Sequence, residues 1–243
     1  MIRALYVDVD GTLVGPGGDA LSGESTRMFD SLLRCRRAGV AVVPVTGRGR
    51  VQVRELCRFL GLRRGIAELG SVHIEGQEVR YELGRFPFPG RTPVEAMEGE
   101  GAVALAESLG LEPHDPWNEG REATFLLRGD VDVEAANAAL AEHGLGWCHL
   151  IDNGVLRRRG MRAYHLAPVG VGKSHGVRSD RRHHGLAREQ VAYVGDSASD
   201  LACAEEVSQC WLVANADPAL DWKLRTQGSY GDGVAEVVDR LLS

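Results

Sequence analysis

Short apolar, β-branched runs recur along the chain and each gives way to small or polar residues: Ala4 to Val9, Val40 to Val45, Val191 to Val194 and Trp211 to Ala214. Runs of this length and composition read as buried strands. Between them the period lengthens. From Ser25 to Ala38, leucine, methionine and phenylalanine recur at helical spacing up to Gly39, and a second helical stretch follows Arg48 and closes near Gly61. Glycine just past the last apolar position is a usual helix stop. Strands alternating with helices predict an α/β fold built on a doubly wound, Rossmann-like parallel sheet.

The middle of the chain breaks this rhythm. Phe86 to Pro93 carries three prolines and reads as a linker. An alanine-rich helix to about Leu109 follows, then a turn-rich piece from Pro113 to Gly120, a strand from Ala123 to Leu127 and a helix from Val133 to His143. Three short strands come next in close succession, Gly146 to Ile151, Val155 to Arg159 and Met161 to Leu166, with a turn expected at Asp152-Asn153-Gly154. Closely spaced strands pair antiparallel. Residues 85–166 therefore read as a smaller α+β cap domain inserted into a core formed by 1–84 and 167–243.

Composition narrows the class. The 243 residues are 44% hydrophobic and 26% charged, which suits a soluble globular chain with a sizeable core. A formal net charge of −6 gives no overall pull toward nucleic acid or an anionic membrane, so neither is expected as a partner. The five cysteines form no C-x-x-C pair and suggest neither a disulfide framework nor a zinc site. The start of the chain runs straight into a strand without a leader pattern, and a reducing, cytoplasmic setting is the expectation.

The chemistry concentrates at the strand ends. In Asp8-Val-Asp10-Gly-Thr12 two acids two residues apart leave the first strand on one side of the sheet edge, where a divalent cation would relieve their repulsion. The second strand ends in Thr46, Gly47 and Arg48, a hydroxyl and helix-start amides suited to an anion. The Val191 to Val194 strand leads into Gly195-Asp196 and, four positions on, Asp200. Gly172-Lys173-Ser174 ends like a phosphate-binding P-loop, but Ala167 stands where the first glycine of that loop is required.

In this order the residues resemble the four motifs of the haloacid-dehalogenase superfamily of phosphotransferases: D-x-D-G-T, a threonine, a lone lysine and G-D-x-x-x-D. The resemblance implies a Mg²⁺-dependent phosphomonoester hydrolase acting on a small phosphorylated metabolite. Asp8 would be the nucleophile that forms an aspartyl-phosphate and Asp10 the general acid and base. Thr46 and Lys173 would bind the transferring phosphoryl group, with Gly47, Arg48, Asn215 and Arg162 as further substrate contacts. Mg²⁺ would sit among Asp8, Asp10 and Asp196, with Asp200 as another ligand or an anchor beside it.

A cap between the second and third motifs is similar to the arrangement in Cof-like sugar phosphatases, sucrose-phosphate and mannosyl-3-phosphoglycerate phosphatases, archaeal-type phosphoglycolate phosphatases and eukaryotic phosphomannomutases. Two positions depart from the pattern. Ser199 stands where relatives carry asparagine, and Glu68-Leu69-Gly70 replaces a usual E-N-G triplet. Cap residues Arg121, Glu122, His149, Arg157, Arg159, Arg162 and His165 are the candidates for specificity, and the arginines suit a substrate with a second anion. A phosphomutase and a P-loop kinase remain as alternatives, and the chain is expected as a monomer or homodimer.

Overall fold

The computed structural model describes residues 1–22, 26–156 and 161–243. The chain begins with β1 (Ala4–Val7), α1 (Arg27–Arg37), β2 (Ala41–Pro44), α2 (Arg50–Leu60) and β3 (Arg64–Ala67). A hairpin of β4 (Val72–Glu75) and β5 (Glu78–Tyr81) follows. The middle holds α3 (Pro93–Gly99), α4 (Ala102–Ser108), β6 (Glu112–Pro113), β7 (Phe125–Gly129), α5 (Val133–Glu142), β8 (Cys148–Leu156) and β9 (Met161–Pro168). The chain then returns through α6 (Lys173–His183), β10 (Val191–Gly195), α7 (Ala198–Leu201), β11 (Gln209–Leu212) and α8 (Tyr230–Leu242).

The parallel sheet has the order β11-β10-β1-β2, and a parallel bridge from Val45 to Ile66 brings β3 alongside β2. Every residue of β1 is buried, as expected for a strand covered on both faces. One face packs Leu5, Val7 and Val194 against α1 and α8, and the other packs Tyr6, Val43 and Tyr193 against Val177 of α6. The chain leaves β1 for β2 on one side and reaches β10 on the other only much later. Such a reversal of strand order opens a crevice at the carboxyl ends of the strands, where ligands bind in sheets of this kind.

The antiparallel sheet has the order β6-β7-β9-β8 and carries its own apolar core, in which Met97, Leu127, Leu140, Tyr164 and Leu166 meet. Its two connections to the parallel sheet run side by side, the Arg85 amide donating to the Val169 carbonyl at 2.9 Å. Several expectations need correction. The alanine-rich stretch is two helices, because Gly101 takes a left-handed φ of +86° and starts α4 afresh. Asp152-Asn153-Gly154 is no hairpin turn: β8 runs through it with a bulge between Asp152 and Val155, and the Asp152 side chain accepts from the Gly154 amide at 2.8 Å. Ser25, Arg157 and Arg159 lie outside the described residues. The β3–β5 meander was not foreseen from the sequence.

Helix α6 sits unusually close to the turn after β3. A Cβ on Gly176 would lie 2.6 Å from the Gly70 Cα and 3.1 Å from its carbonyl oxygen. Alanine normally improves an exposed helix by about 0.5–1 kcal/mol over glycine. Here the contact is with backbone, so Gly176→Ala should destabilise the protein by about 1–3 kcal/mol, the usual cost of overpacking, in urea unfolding. A gain in stability would show that α6 is free to move away.

Candidate active site

Asp8 follows β1 directly and is 3% exposed. Lys173, the first residue of α6, donates from Nζ to Asp8 Oδ1 at 2.7 Å and to Asp200 Oδ1 at 2.8 Å. Asp8 Oδ2 is buried and, among the described residues, has no hydrogen-bond partner. Burial pushes the Asp8 carboxyl up to about 8 against the pull of Lys173, with Asp200 and Asp196 adding to the rise. Burial and then Asp200 raise Asp196 to about 6. Burial acts on Lys173 as well, but its two carboxylate partners outweigh it and hold the ammonium charged.

Asp8, Asp196 and Asp200 bring carboxylate oxygens within 4.8 Å of one another, against the single ammonium of Lys173. An orphaned oxygen on Asp8 facing a half-buried acid is a fitting donor set for a hard dication, which would return both carboxyls to the ionised form. Gly11 makes room for this approach: it has φ +92°, and a Cβ there would fall 2.2 Å from Asp196 Oδ2.

Asp200 is the exception among the acids. It is fully buried, and its Oδ1 accepts from Lys173 and from the Tyr193 hydroxyl at 2.6 Å. Its Oδ2 accepts from the Asp196 amide at 3.1 Å, the Ser197 amide at 3.0 Å and Ser197 Oγ at 2.7 Å. Of the two places expected for Asp200, ligand or anchor, these bonds show the anchor: it aims Lys173 and folds the loop that presents Asp196. The Asn215 side-chain amide donates to the Gly11 carbonyl at 2.8 Å and accepts from the Tyr230 amide at 2.8 Å, so it ties two loops together, and it is not among the residues lining the cavity between the two sheets.

Across the crevice, Thr46 is buried and its Oγ1 accepts from the Arg48 amide at 3.2 Å, leaving the hydroxyl proton to donate. Arg48 grips the exposed Asp10 with two bonds, Nε to Oδ2 at 2.8 Å and Nη2 to Oδ1 at 2.6 Å. The guanidinium expected on substrate therefore orients the second aspartate. The P-loop alternative fails on the backbone, because Ala167, where the first glycine of such a loop is required, lies within β9.

A cavity of about 1100 Å³ separates the parallel sheet from the antiparallel one and is lined by Asp8, Thr46, Arg48, Lys173 and Asp196 below and by Arg121, Arg162 and His165 above. Arg162 is ion-paired with Asp152 on the neighbouring strand. His149, another specificity candidate, is not among the lining residues. His165 is 1% exposed, and its Nδ1 lies 3.3 Å from Thr124 Oγ1. Burial and then the Arg121 charge hold its pKa well below the usual range, so the imidazole is neutral. A Cβ on Gly47 would lie 2.8 Å from His165 Nε2, which shows how closely the two sheets meet over the catalytic turn.

Sequence reasoning gave Glu68 no role. It is fully buried, and Oε2 accepts from the Ala123 and Thr124 amides, both at 2.9 Å. Glu68 and Leu69 both take positive φ, +48° and +57°, a conformation that costs a non-glycine residue about 1 kcal/mol or more. The amide bonds hold the turn in that shape. Arg121 completes the contact, donating from Nη2 to the Gly47 carbonyl at 2.7 Å, from Nη1 to Thr124 Oγ1 at 2.8 Å and from Nε to the Trp117 carbonyl at 2.8 Å. On the rim, Glu122 accepts from the Tyr81 hydroxyl at 2.8 Å and pairs with Arg50 at 2.9 Å. The E-x-G triplet was the sole trace of this latch in the sequence.

Removing the Glu68 carboxylate leaves buried amides without acceptors, each costing about 1–3 kcal/mol. Glu68→Ala should lose about 2 kcal/mol or more in urea unfolding and speed hydrogen exchange at residues 122–124, with Glu68→Gln affected less. Unchanged exchange in Glu68→Ala would mean that the carboxylate does not hold the upper sheet down.

No family model matches the chain. It is 34% identical to a phosphoglycolate phosphatase of Pyrobaculum aerophilum, over 99% of this chain and 96% of the relative, and 30% identical to one of Natronomonas pharaonis, over 99% and 98%. Among solved structures, a haloacid dehalogenase-like hydrolase from Bacteroides thetaiotaomicron superposes with a TM-score of 0.73 at 20% identity, covering 99% of this chain and all of that one. Among the described residues no helix is long and apolar enough to cross a membrane. Full-length relatives and a shared fold agree with the aspartates gathered at the sheet edge: the chain belongs to the haloacid-dehalogenase superfamily and is a phosphomonoester hydrolase.

Proposed function

We propose that the protein is a Mg²⁺-dependent phosphoglycolate phosphatase that works through an aspartyl-phosphate on Asp8. The observation that carries this reading is the buried Asp8 carboxylate, with one oxygen held by Lys173 and the other without a partner. Asp8 Oδ2 attacks phosphorus as the ester P–O bond breaks, and Asp10 gives its proton to the leaving alkoxide. Asp10 then takes a proton from water, whose oxygen attacks the aspartyl-phosphate and releases inorganic phosphate and the free carboxylate. Thr46 Oγ, the Gly47 amide and Lys173 bind the phosphoryl oxygens. Arg48 keeps Asp10 aimed in both half-reactions.

Mg²⁺ would be held by Asp8, Asp196 and the Asp10 carbonyl, and when bound it neutralises the phosphoryl charge as it moves onto Asp8. Residues 85–166 act as a cap over a core of 1–84 and 167–243, closing on substrate through the Glu68 and Arg121 contacts and excluding water. The substrate assignment rests on the relatives named phosphoglycolate phosphatase, matched over nearly their whole lengths. The five free, buried cysteines fit a cytoplasmic setting.

Phosphate release should be measured from phosphoglycolate, sucrose 6-phosphate, mannosyl-3-phosphoglycerate and p-nitrophenyl phosphate, with Mg²⁺ and with chelator. The expected result is the highest kcat/KM on phosphoglycolate, dependence on Mg²⁺, and loss of about 10⁴-fold or more in Asp8→Asn, as when a nucleophile is removed. Preference for a sugar phosphate would overturn the substrate, and an active Asp8→Asn the mechanism.

A further inference from the structure

Far from the crevice, the end of β4 meets the C-terminal turn of α6. Glu75, His183 and His184 place one carboxylate oxygen and two imidazole nitrogens within 4.8 Å of one another there. His184 Nε2 lies 3.6 Å from Glu75 Oε2 and 3.5 Å from Asp180 Oδ1, both longer than a normal hydrogen bond. Two ligands bonded to one Zn²⁺ at about 2.0–2.1 Å with a tetrahedral angle lie about 3.4 Å apart. The observed spacing matches a bridged pair better than a direct contact.

The surroundings are unusual for a solvated patch. Beneath the pair, His73 is 5% exposed and, among the described residues, neither ring nitrogen is within normal hydrogen-bond distance of a partner. Its Nδ1 is 4.0 Å from Asp180 Oδ1, the oxygen that also faces His184. Asp180 spends its other oxygen on the Tyr6 hydroxyl at 2.8 Å and on Arg64 Nε at 3.1 Å, which neutralises the nearest guanidinium. The carbonyl end of α6 further favours a cation.

We propose that Glu75, His183 and His184 form a second metal site, for a borderline transition-metal cation such as Zn²⁺, that clips β4 to α6. Imidazole with carboxylate suits Zn²⁺, whereas Mg²⁺ takes oxygen ligands, so the two sites select different ions. The clip joins the strand that follows the Glu68 turn to the helix that begins at Lys173. It therefore braces the site from its far end without touching it.

Isothermal titration of Zn²⁺ into the full chain in excess Mg²⁺ tests this, with wild type, His184→Ala and Glu75→Gln compared. The expected result is a component of one Zn²⁺ per chain that weakens about tenfold or more in both variants, while Mg²⁺-dependent phosphatase activity stays within about twofold of wild type. Glu75 is half exposed, so its variant folds even if the histidine variant does not. Absence of Zn²⁺ uptake by wild type, or equal uptake by the Glu75→Gln variant, would overturn the site.

Discussion

The ammonium of Lys173, buried between Asp8 and Asp200, is the contact around which the rest of the site is arranged. Ionisable groups at this depth keep their charge only when each is paired and hydrogen-bonded. Asp200 meets that condition completely, taking donors from Lys173, Tyr193, Ser197 and the Asp196 amide. Asp8 meets it halfway. Its unpartnered oxygen is the one polar atom of the group left for chemistry, and the two anchors either side of it keep it where a phosphorus atom can be reached.

The arrangement makes neighbouring elements depend on one another. Lys173 reaches Asp8 because α6 starts beside the turn at Gly70, and that turn holds its left-handed residues because Glu68 is bonded to amides of the upper sheet. Arg121 returns the connection to Gly47, the neighbour of the Thr46 hydroxyl at the cavity wall. The contact between the two sheets and the shape of the turns around Asp8 and Thr46 therefore depend on the same hydrogen bonds.

Much of this was legible in the chain. Asp8, Thr46 and Asp196 were singled out because each stands at the end of an apolar run, where the change from period to polarity is sharp, and Lys173 because Gly172-Lys173-Ser174 ends like a phosphate-binding loop. Roles carried by backbone partners were not. Glu68 binds amides of residues that any sequence could supply, and Asp200 differs from Asp196 only in what surrounds it after folding. The β3–β5 meander escaped notice because its strands are four residues long and broken by charged Arg and Glu residues. The Asp152 bulge looked like a turn because Asp-Asn-Gly is turn chemistry in either setting.

The central claim is that Asp8 carries the phosphoryl group. It is tested most directly by acid-quenching the enzyme during turnover of a ³²P-labelled phosphomonoester, using Asp10→Asn to slow hydrolysis of the intermediate. The account predicts label approaching one phosphoryl group per chain, mapped to Asp8 by borohydride reduction and peptide sequencing. Turnover without trapped label, or label on a residue other than Asp8, would contradict it.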